Sequence, residues 1–235
     1  MGLIIDPYKI VTATAWDYNH TFTTDDGKWI FANPSATSQV NTASGKLLFD
    51  FTTSNSGGTN RALSGDIYGG VVSNTAWVLR YEKIRFLTST DHNAWNNGMS
   101  ATNHTTPTYT AGDAYGWNAG ADYQLFYIYH SGSDYNRLGH SPPQDMAPDQ
   151  ITNWTLNNDK YLQHIRTSAT TQTGQWGSNS DYTSPTLSLT HNTLLSTIDN
   201  LRYVKIGNLV YTGFGGAGTG SIETVKFANG VTVAP

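Results

Sequence analysis

The stretch Lys46-Leu-Leu-Phe-Asp-Phe51 places Leu47, Phe49 and Phe51 on one face of an extended chain. This alternation with a period of two residues is typical of a half-buried β-strand. Other segments rich in β-branched and aromatic residues lie between turns that contain Gly, Asn and Ser: 10–16, 76–87, 123–130, 160–168, 186–190, 201–206 and 221–227. Many short strands separated by turns predict an all-β sandwich or barrel.

The composition supports the same fold class. The 235 residues include two glutamates, Glu82 and Glu223, against fifteen aspartates. Helices favour Glu, Lys, Leu and Ala, whereas turns favour Asn, Asp and Gly, so the scarcity of Glu favours strands and turns. Charged residues make up 13% of the chain, where ordinary domains carry about 25%. We therefore expect a polar but largely uncharged surface that meets neutral partners.

Several classes of function are excluded by charge and residue type. A formal net charge of −4 argues against nucleic acid, whose binding needs clustered Lys and Arg. The chain has no cysteine, so it holds neither a disulfide nor a thiolate metal site. The histidines lack the spacing of a zinc site.

The sequence also predicts where the protein acts. No apolar run approaches the roughly 18 residues of a membrane span, so we expect no membrane insertion. The start, Met1-Gly-Leu-Ile-Ile-Asp-Pro-Tyr8, lacks the basic and apolar regions of a secretory signal. Either a signal has been removed, or the protein leaves its cell by another route, as virion proteins do on lysis. The expected location is extracellular or on a virion surface.

No low-complexity linker divides the chain, which predicts one domain over residues 1–235. Two long irregular segments, 88–122 and 131–159, interrupt the spacing of the strands. Loops longer than about 12–15 residues are uncommon in compact domains unless they are functional or disordered. Because both segments are rich in aromatic residues, we expect ordered, functional loops.

Several stretches resemble the concanavalin A-like, or LamG-like, lectin and glucanase sandwiches, especially the divergent versions found in secreted and viral proteins. They are Trp16-Asp-Tyr-Asn-His-Thr-Phe-Thr-Thr-Asp-Asp-Gly-Lys-Trp29, 44–51, 76–81, 201–206 and 220–230. Ile5-Asp-Pro-Tyr8 also resembles the start of phage virion proteins that carry such a domain. The resemblance implies a single antiparallel β-sandwich of the jelly-roll type.

The same resemblance raises the question of catalysis, because the family includes laminarinase-type enzymes. Those enzymes place two glutamates a few residues apart on one strand, and retaining chemistry needs the carboxyl groups about 5–5.5 Å apart. Glu82 and Glu223 are 141 positions apart, so that motif is absent. The run Gln163-His-Ile-Arg166 is similar to one strand of lyase-type sandwiches, but an ordinary two-faced strand explains it equally well. We predict no catalytic residue.

A structural calcium ion is a further implication of the resemblance. The family often binds calcium where the first and last strands meet, and Asp17 and Glu223 are the positions to examine. Oxygen ligands are those that Ca²⁺ prefers. The family's closing strand usually carries Asp where this chain has Glu223.

A glycan site is predicted from the aromatic residues. The apolar faces of sugars stack on Trp and Tyr rings, while their hydroxyl groups need polar partners in the same cleft. The predicted ligand-binding residues lie in the irregular segments or on central strands: Trp95, Trp117, Tyr127, Tyr129, Trp154, His164 and Arg166. The same residue types also pin loops and dominate protein interfaces.

Three functions follow as hypotheses. The first is a non-catalytic glycan-binding or adhesion module whose partner is a polysaccharide or other glycan. The second is a structural fibre, capsid-decoration or filament subunit that assembles with itself or with other virion proteins. The third is an atypical polysaccharide hydrolase or lyase.

Overall fold

The computed structural model describes residues 15–31, 34–50, 62–89, 93–101, 123–130, 134–141, 145–194, 198–209 and 218–235. These residues form the following strands: β1 Tyr18–His20, β2 Trp29–Phe31, β3 Gln39–Asn41, β4 Lys46–Asp50, β5 Ala62–Gly65, β6 Trp77–Ser89, β7 Asn93–Ala101, β8 Tyr123–His130, β9 Asp134–Ser141, β10 Asp145–Ile151, β11 Lys160–Arg166, β12 Gln172–Gly177, β13 Leu187–His191, β14 Leu201–Leu209, β15 Gly218–Ile222 and β16 Thr224–Asn229. The protein is all-β, as predicted.

The strands build two antiparallel sheets. The first sheet has the order β13-β12-β11-β6-β15-β4-β3, and β16 and β1 extend it beside the first half of β6. The second sheet has the order β10-β9-β8-β7-β14-β5-β2. No helix that is long and apolar enough to cross a membrane occurs in the part of the chain that the structure describes.

The hydrophobic core lies between the two sheets. Alternation places one face of each strand there: in β13, Leu187 and Leu189 are buried while Ser188 and Thr190 are exposed. Both sheets contribute side chains with no solvent exposure, including Leu47, Phe49, Trp77, Leu79, Tyr81, Phe126, Leu138, Leu162, Val204, Ile206 and Phe227. Burial of such side chains stabilises the fold by about 1.5–3 kcal/mol each.

Both segments predicted as irregular loops contain strands. The segment 88–122 includes the end of β6 and all of β7, and the segment 131–159 includes β9 and β10. The alternation of apolar residues does not predict these strands, because some of their buried positions are polar. Asn97 and Asn136 are fully buried in the sandwich. Asn97 donates to the Phe126 carbonyl at 2.9 Å, and Asn136 accepts from the Trp176 indole at 2.9 Å. These hydrogen bonds offset the cost of burying the amides.

The closing strand changes its neighbours at Glu223. Residues 218–222 of β15 pair with β4 and the second half of β6, whereas β16 pairs with β1 and the first half of β6. The break at Glu223 lets Ile222, Val225 and Phe227 all remain fully buried although their spacing is irregular.

A buried polar network joins β9, β11, β12 and β13 inside the sandwich. The Gln172 amide donates to the Gly139 carbonyl at 2.9 Å, which turns its Oε1 towards His164 Nε2 at 2.7 Å. The same amide nitrogen lies 3.2 Å from His191 Nδ1. Since an amide nitrogen only donates, His191 Nδ1 accepts, and since Oε1 only accepts, His164 Nε2 carries the proton. The network therefore sets His164 Nε2 as a donor and His191 Nδ1 as an acceptor.

Candidate functional site

A row of polar side chains crosses the face of the first sheet that is turned away from the core. Register pairs Arg80 of β6 with Gln163 of β11, Gln163 with Gln175 of β12, and Gln175 with Ser188 of β13. Cross-strand partners project from the same face of a sheet, so their side chains meet. Arg80 Nε donates to Gln163 Oε1 at 2.5 Å, Gln163 Nε2 to Gln175 Oε1 at 3.2 Å, and Gln175 Nε2 to Ser188 Oγ at 3.3 Å. We call these four residues the amide row.

Two aromatic rings cover the guanidinium group at the end of the amide row. Arg80 Cζ lies 4.1 Å from the centroid of the Tyr182 ring and 5.4 Å from that of Trp16. All three side chains keep partial solvent exposure. A guanidinium over an aromatic face is attracted by the ring quadrupole, by about 0.5–1 kcal/mol at exposed sites. We call Trp16, Arg80 and Tyr182 the Arg80 platform.

The loop before β13 holds Tyr182 on the sheet. The Tyr182 backbone has a φ of 56°, which is uncommon for a residue with a side chain. Its hydroxyl oxygen lies 3.5 Å from the carbonyl oxygens of Tyr81 and Leu162, between β6 and β11. Burial raises the pKa of this phenol above its usual value, so the ring meets a ligand as a neutral phenol.

Charged residues surround a β-bulge beside the platform. The register between β6 and β11 shifts at this point, and Lys83 has a φ of 51°. Glu82 binds Lys226 at 2.7 Å, and Glu223 binds Lys83 at 2.7 Å and Lys46 at 3.4 Å. Bulges re-aim side chains and terminate regular pairing. This one lets neighbouring residues of β6 reach different ion-pair partners.

The two glutamates are neighbours in the fold, in contrast to their separation in sequence. The Glu223 amide donates to the Glu82 carbonyl oxygen at 3.3 Å. The motif of two glutamates on one strand is absent as predicted, but antiparallel pairing of β6 with β15 and β16 brings the two residues together, which their sequence separation does not reveal. Their ion pairs, however, do not suit acid catalysis. Burial raises the pKa of Glu223, but the hydrogen bonds and charges of Lys83 and Lys46 lower it further, so the pKa lies below its usual value. A catalytic acid needs a raised pKa.

These ion pairs are expected to contribute little to stability. Glu223→Gln should lower the free energy of unfolding by less than about 1 kcal/mol, because partly exposed ion pairs are screened by solvent. Urea unfolding of the variant and of the wild type measures the difference, with Glu82→Gln as the matched variant. A loss of several kcal/mol would show that the bulge depends on its charges.

Three predicted ligand-binding residues lie in the interior. Trp154 is 8% exposed, and its ring centroid lies 5.1 Å from that of Phe86 and 5.0 Å from that of Trp176. His164 is fully buried in the polar network, and its ring meets Trp77 edge-on at 4.9 Å. These contacts give both residues a packing role, and neither reaches the exposed face.

Arg166 is fully buried as well. Its guanidinium donates to the Ile198 carbonyl at 2.8 Å, the Ala169 carbonyl at 3.0 Å and Gln124 Oε1 at 3.3 Å. These bonds fasten the loop after β11 and the segment before β14 to the sandwich. Arg166 and His164 are two positions apart on β11, so both side chains project from the face of the strand that is turned to the core.

Of the other four predicted residues, three lie on the paired strands β7 and β8. Register pairs Trp95 with Ile128, Tyr127 with Asn96 and Tyr129 with Ala94 in the second sheet. Trp117 lies outside the residues that the structure describes. A ligand-binding role for these four residues stays a prediction.

The two residues proposed for calcium do not share a site. Asp17 Oδ2 accepts from the Asn229 amide at 2.6 Å, at one end of β16. Glu223 precedes the other end of β16, six residues from Asn229, which is roughly 20 Å at about 3.3 Å per residue. Glu223 is also held by two lysines. In the described residues, no group of three or more His, Asp or Glu side chains could hold a metal ion. Asp17 and Glu223 therefore do not fit a calcium site.

The Arg80 platform is a site that the sequence analysis missed. No role is assigned to Arg80 or Tyr182 from the sequence, and Trp16 is named only within a stretch that resembles the family. The available signal was the polar residue at every second position of β6, Arg80 and Glu82, together with Gln163 on another predicted strand. No sequence pattern showed that these strands are neighbours.

Comparisons with known proteins identify the fold. No protein-family model and no curated protein sequence matches the chain. A legume lectin-like domain from Entamoeba histolytica is 9% identical, with a TM-score of 0.58 over 93% of this chain and 99% of that one. The CBM2 module of the evolved Dit of Lactobacillus casei BL23 phage J-1 is 8% identical, with a TM-score of 0.57 over 94% and 97% of the two chains.

A third similar structure is an enzyme. The β-glucanase of Bacillus licheniformis is 9% identical, with a TM-score of 0.53 over 92% of this chain and 100% of that one. The chain adopts the concanavalin A-like β-sandwich of lectins and glucanases. At these identities the likeness shows the fold alone.

Proposed function

We propose that this chain is a non-catalytic glycan-binding or adhesion module displayed outside a cell or on a virion surface. The fold supports a glycan-binding module in general terms, since a lectin-like domain and a CBM2 module share it. The similar module of a phage Dit supports display on a virion. The Arg80 platform and the amide row are the observation that carries the proposal.

The chemistry of this face suits a sugar. The partly exposed rings of Trp16 and Tyr182 offer apolar surfaces to the C–H faces of a pyranose. Gln175 and Ser188, at the more open end of the amide row, offer an amide and a hydroxyl group to sugar hydroxyls. Because strand pairing and hydrogen bonds hold these groups in place, little conformational entropy is lost on binding.

Substitution of Tyr182 tests the site. Tyr182→Ala is expected to weaken binding at least about tenfold, or about 1.4 kcal/mol, because it removes the stacking ring. A glycan array identifies ligands, and isothermal titration calorimetry with the best ligand measures the loss. Tyr68→Ala is the matched control, since Tyr68 is 37% exposed and lies outside this face.

Two outcomes would contradict the proposal. Equal affinity of Tyr182→Ala, Tyr68→Ala and wild type would remove the site from this face. A glycan array on which the wild type binds no glycan would contradict glycan binding as the function. Release of reducing ends or unsaturated products from a polysaccharide would restore the enzyme hypothesis.

A structural subunit is the second candidate function. Exposed apolar side chains support it: Leu87 is 45% exposed, Ile151 61% and Leu156 40%. Leu87 and Leu156 lie close together, since the Asn157 amide donates to the Phe86 carbonyl at 2.8 Å. A stable homo-oligomer in light scattering, together with a negative array, would favour this function.

A further inference from the structure

Arg80 differs from the other cations on its face. Four cations near the bulge have carboxylate partners: Lys226 with Glu82, Lys46 and Lys83 with Glu223, and Arg85 with Asp159 at 2.7 Å. Within the described residues, Arg80 forms no ion pair: Glu82 pairs with Lys226 and acts on Arg80 only at longer range. Arg80 is therefore the one charge of this group without a direct counter-charge.

The guanidinium of Arg80 is held so that one edge stays open. Its Nε edge is bound by Gln163 Oε1, and aromatic rings of Tyr182 and Trp16 lie over the group. In the parts of the chain that the structure describes, Nη1 and Nη2 of Arg80 make no hydrogen bond. Burial lowers the pKa of Arg80, although the carboxylate of Glu82 raises it. A partly desolvated cation with two unused amino groups gains most from a ligand that supplies two acceptors and a negative charge.

We infer that the glycan bound here carries carboxylate groups and that a uronic acid residue binds the two terminal amino groups of Arg80. This inference rests on the proposed function and names the ligand class of the same site. A planar guanidinium fork matches a carboxylate in a bidentate arrangement, which a neutral hydroxyl group cannot reproduce. The Tyr182 ring then packs against the sugar that bears the carboxylate. The composition predicts neutral partners, whereas this inference assigns an acidic ligand to the Arg80 platform.

The overall charge of the protein does not prevent this contact. The chain has a net charge of −4, but charges farther apart than about 8 Å are largely screened at physiological ionic strength. Of the nearby acids, Glu82 is bound by Lys226, and Asp17 and Asp181 accept from the backbone amides of Asn229 and Thr183. Binding is therefore expected to be modest in affinity and to weaken as salt increases.

A chemically matched pair of ligands tests the inference. Polygalacturonate and the same polymer after reduction of its carboxyl groups differ only in charge and acceptor geometry. Affinity electrophoresis and titration calorimetry should show at least tenfold tighter binding of the acidic form at low salt. Arg80→Lys, which keeps the charge and loses the fork, should remove most of that preference. Arg85→Lys is the control, because Arg85 is already paired with Asp159.

A second variant keeps the test independent of folding. Gln163→Glu is nearly isosteric and places a carboxylate on Arg80 Nε, and rotation of the Gln175 amide restores a hydrogen bond to residue 163. The variant should therefore weaken binding of the acidic polymer about tenfold while the chain stays folded. Equal binding of the two polymers by the wild type would overturn the acidic ligand and leave glycan binding in place. Loss of preference in Arg85→Lys but not in Arg80→Lys would also overturn it. A chain that binds neither polymer nor any glycan on the array would overturn the proposed function itself.

Discussion

Gly98→Ala is expected to unfold the protein or to lower its free energy of unfolding by about 4 kcal/mol or more. Gly98 lies in the middle of β7, where its neighbours are Lys205 of β14 and Leu125 of β8. A Cβ atom at this position would lie 2.0 Å from the Gln124 carbonyl oxygen and 2.9 Å from the Leu125 Cα. Both are backbone atoms of a central strand, so relief requires that β7 and β8 move apart and lose their hydrogen bonds.

Urea unfolding followed by tryptophan fluorescence measures this loss, with Gly70→Ala as the control. At Gly70 the nearest atoms to a new Cβ would be ring carbons of Tyr68 at 3.9 Å, an ordinary van der Waals distance. The control should change stability by less than about 1 kcal/mol, since Gly70 lies in a surface loop. Equal stability of the two variants would mean that β7 and β8 do not pair in the register described above.

The strands that the sequence predicts well are those whose side chains follow the pleat. β4, β8, β11 and β13 each appear within a residue or two of their expected bounds, because apolar residues recur at every second position or β-branched and aromatic residues fill the strand. β7 and β9 break that pattern. Gly98 and Gly139 add no side chain, and the buried Asn97 and Asn136 are polar. Their place in the sandwich depends on hydrogen bonds to other strands, which a local pattern does not contain.

The candidate site was hidden for a related reason. Arg80 and Gln163 are 83 residues apart, and Arg80 and Tyr182 meet only because a loop folds back over β6 and β11. The two glutamates are likewise far apart in sequence, yet strand pairing makes them neighbours. Residue types in this chain predict which chemistry is present, but the order of strands in the sheet decides which groups meet.

Acidification should destabilise the protein through His164. Burial lowers the pKa of this imidazole from 6.5 to about 4. Above pH 6.5 the ring is neutral in both the folded and the unfolded chain, so its full contribution to stability is present. Below pH 6.5 the unfolded chain takes up a proton that the folded chain does not, so stability falls as the pH drops towards 4. The expected loss between pH 7 and pH 5 is about 2 kcal/mol, in a range where most carboxylates remain ionised.

The polar network explains why the folded state resists this proton. His164 Nε2 already donates to Gln172 Oε1, and within the described residues His164 Nδ1 has no hydrogen-bond partner that would accept from it. The rings that pack against His164, those of Trp77 and Phe126, supply no counter-charge. Protonation of His164 would therefore bury a positive charge with an N–H group at Nδ1 that has no acceptor among the described residues.

A non-titrating variant isolates this contribution. His164→Gln lowers stability at neutral pH, but it should flatten the fall in the free energy of unfolding between pH 7 and pH 5 by about 2 kcal/mol relative to wild type. His20→Gln is the control, because His20 is a partly exposed residue of β1 that hydrogen-bonds the Thr24 carbonyl at 2.9 Å. Its profile should keep the wild-type slope. A wild-type slope in His164→Gln would show that the acid sensitivity arises at another group. Flat profiles for all three proteins would show that His164 does not lower stability as the pH falls.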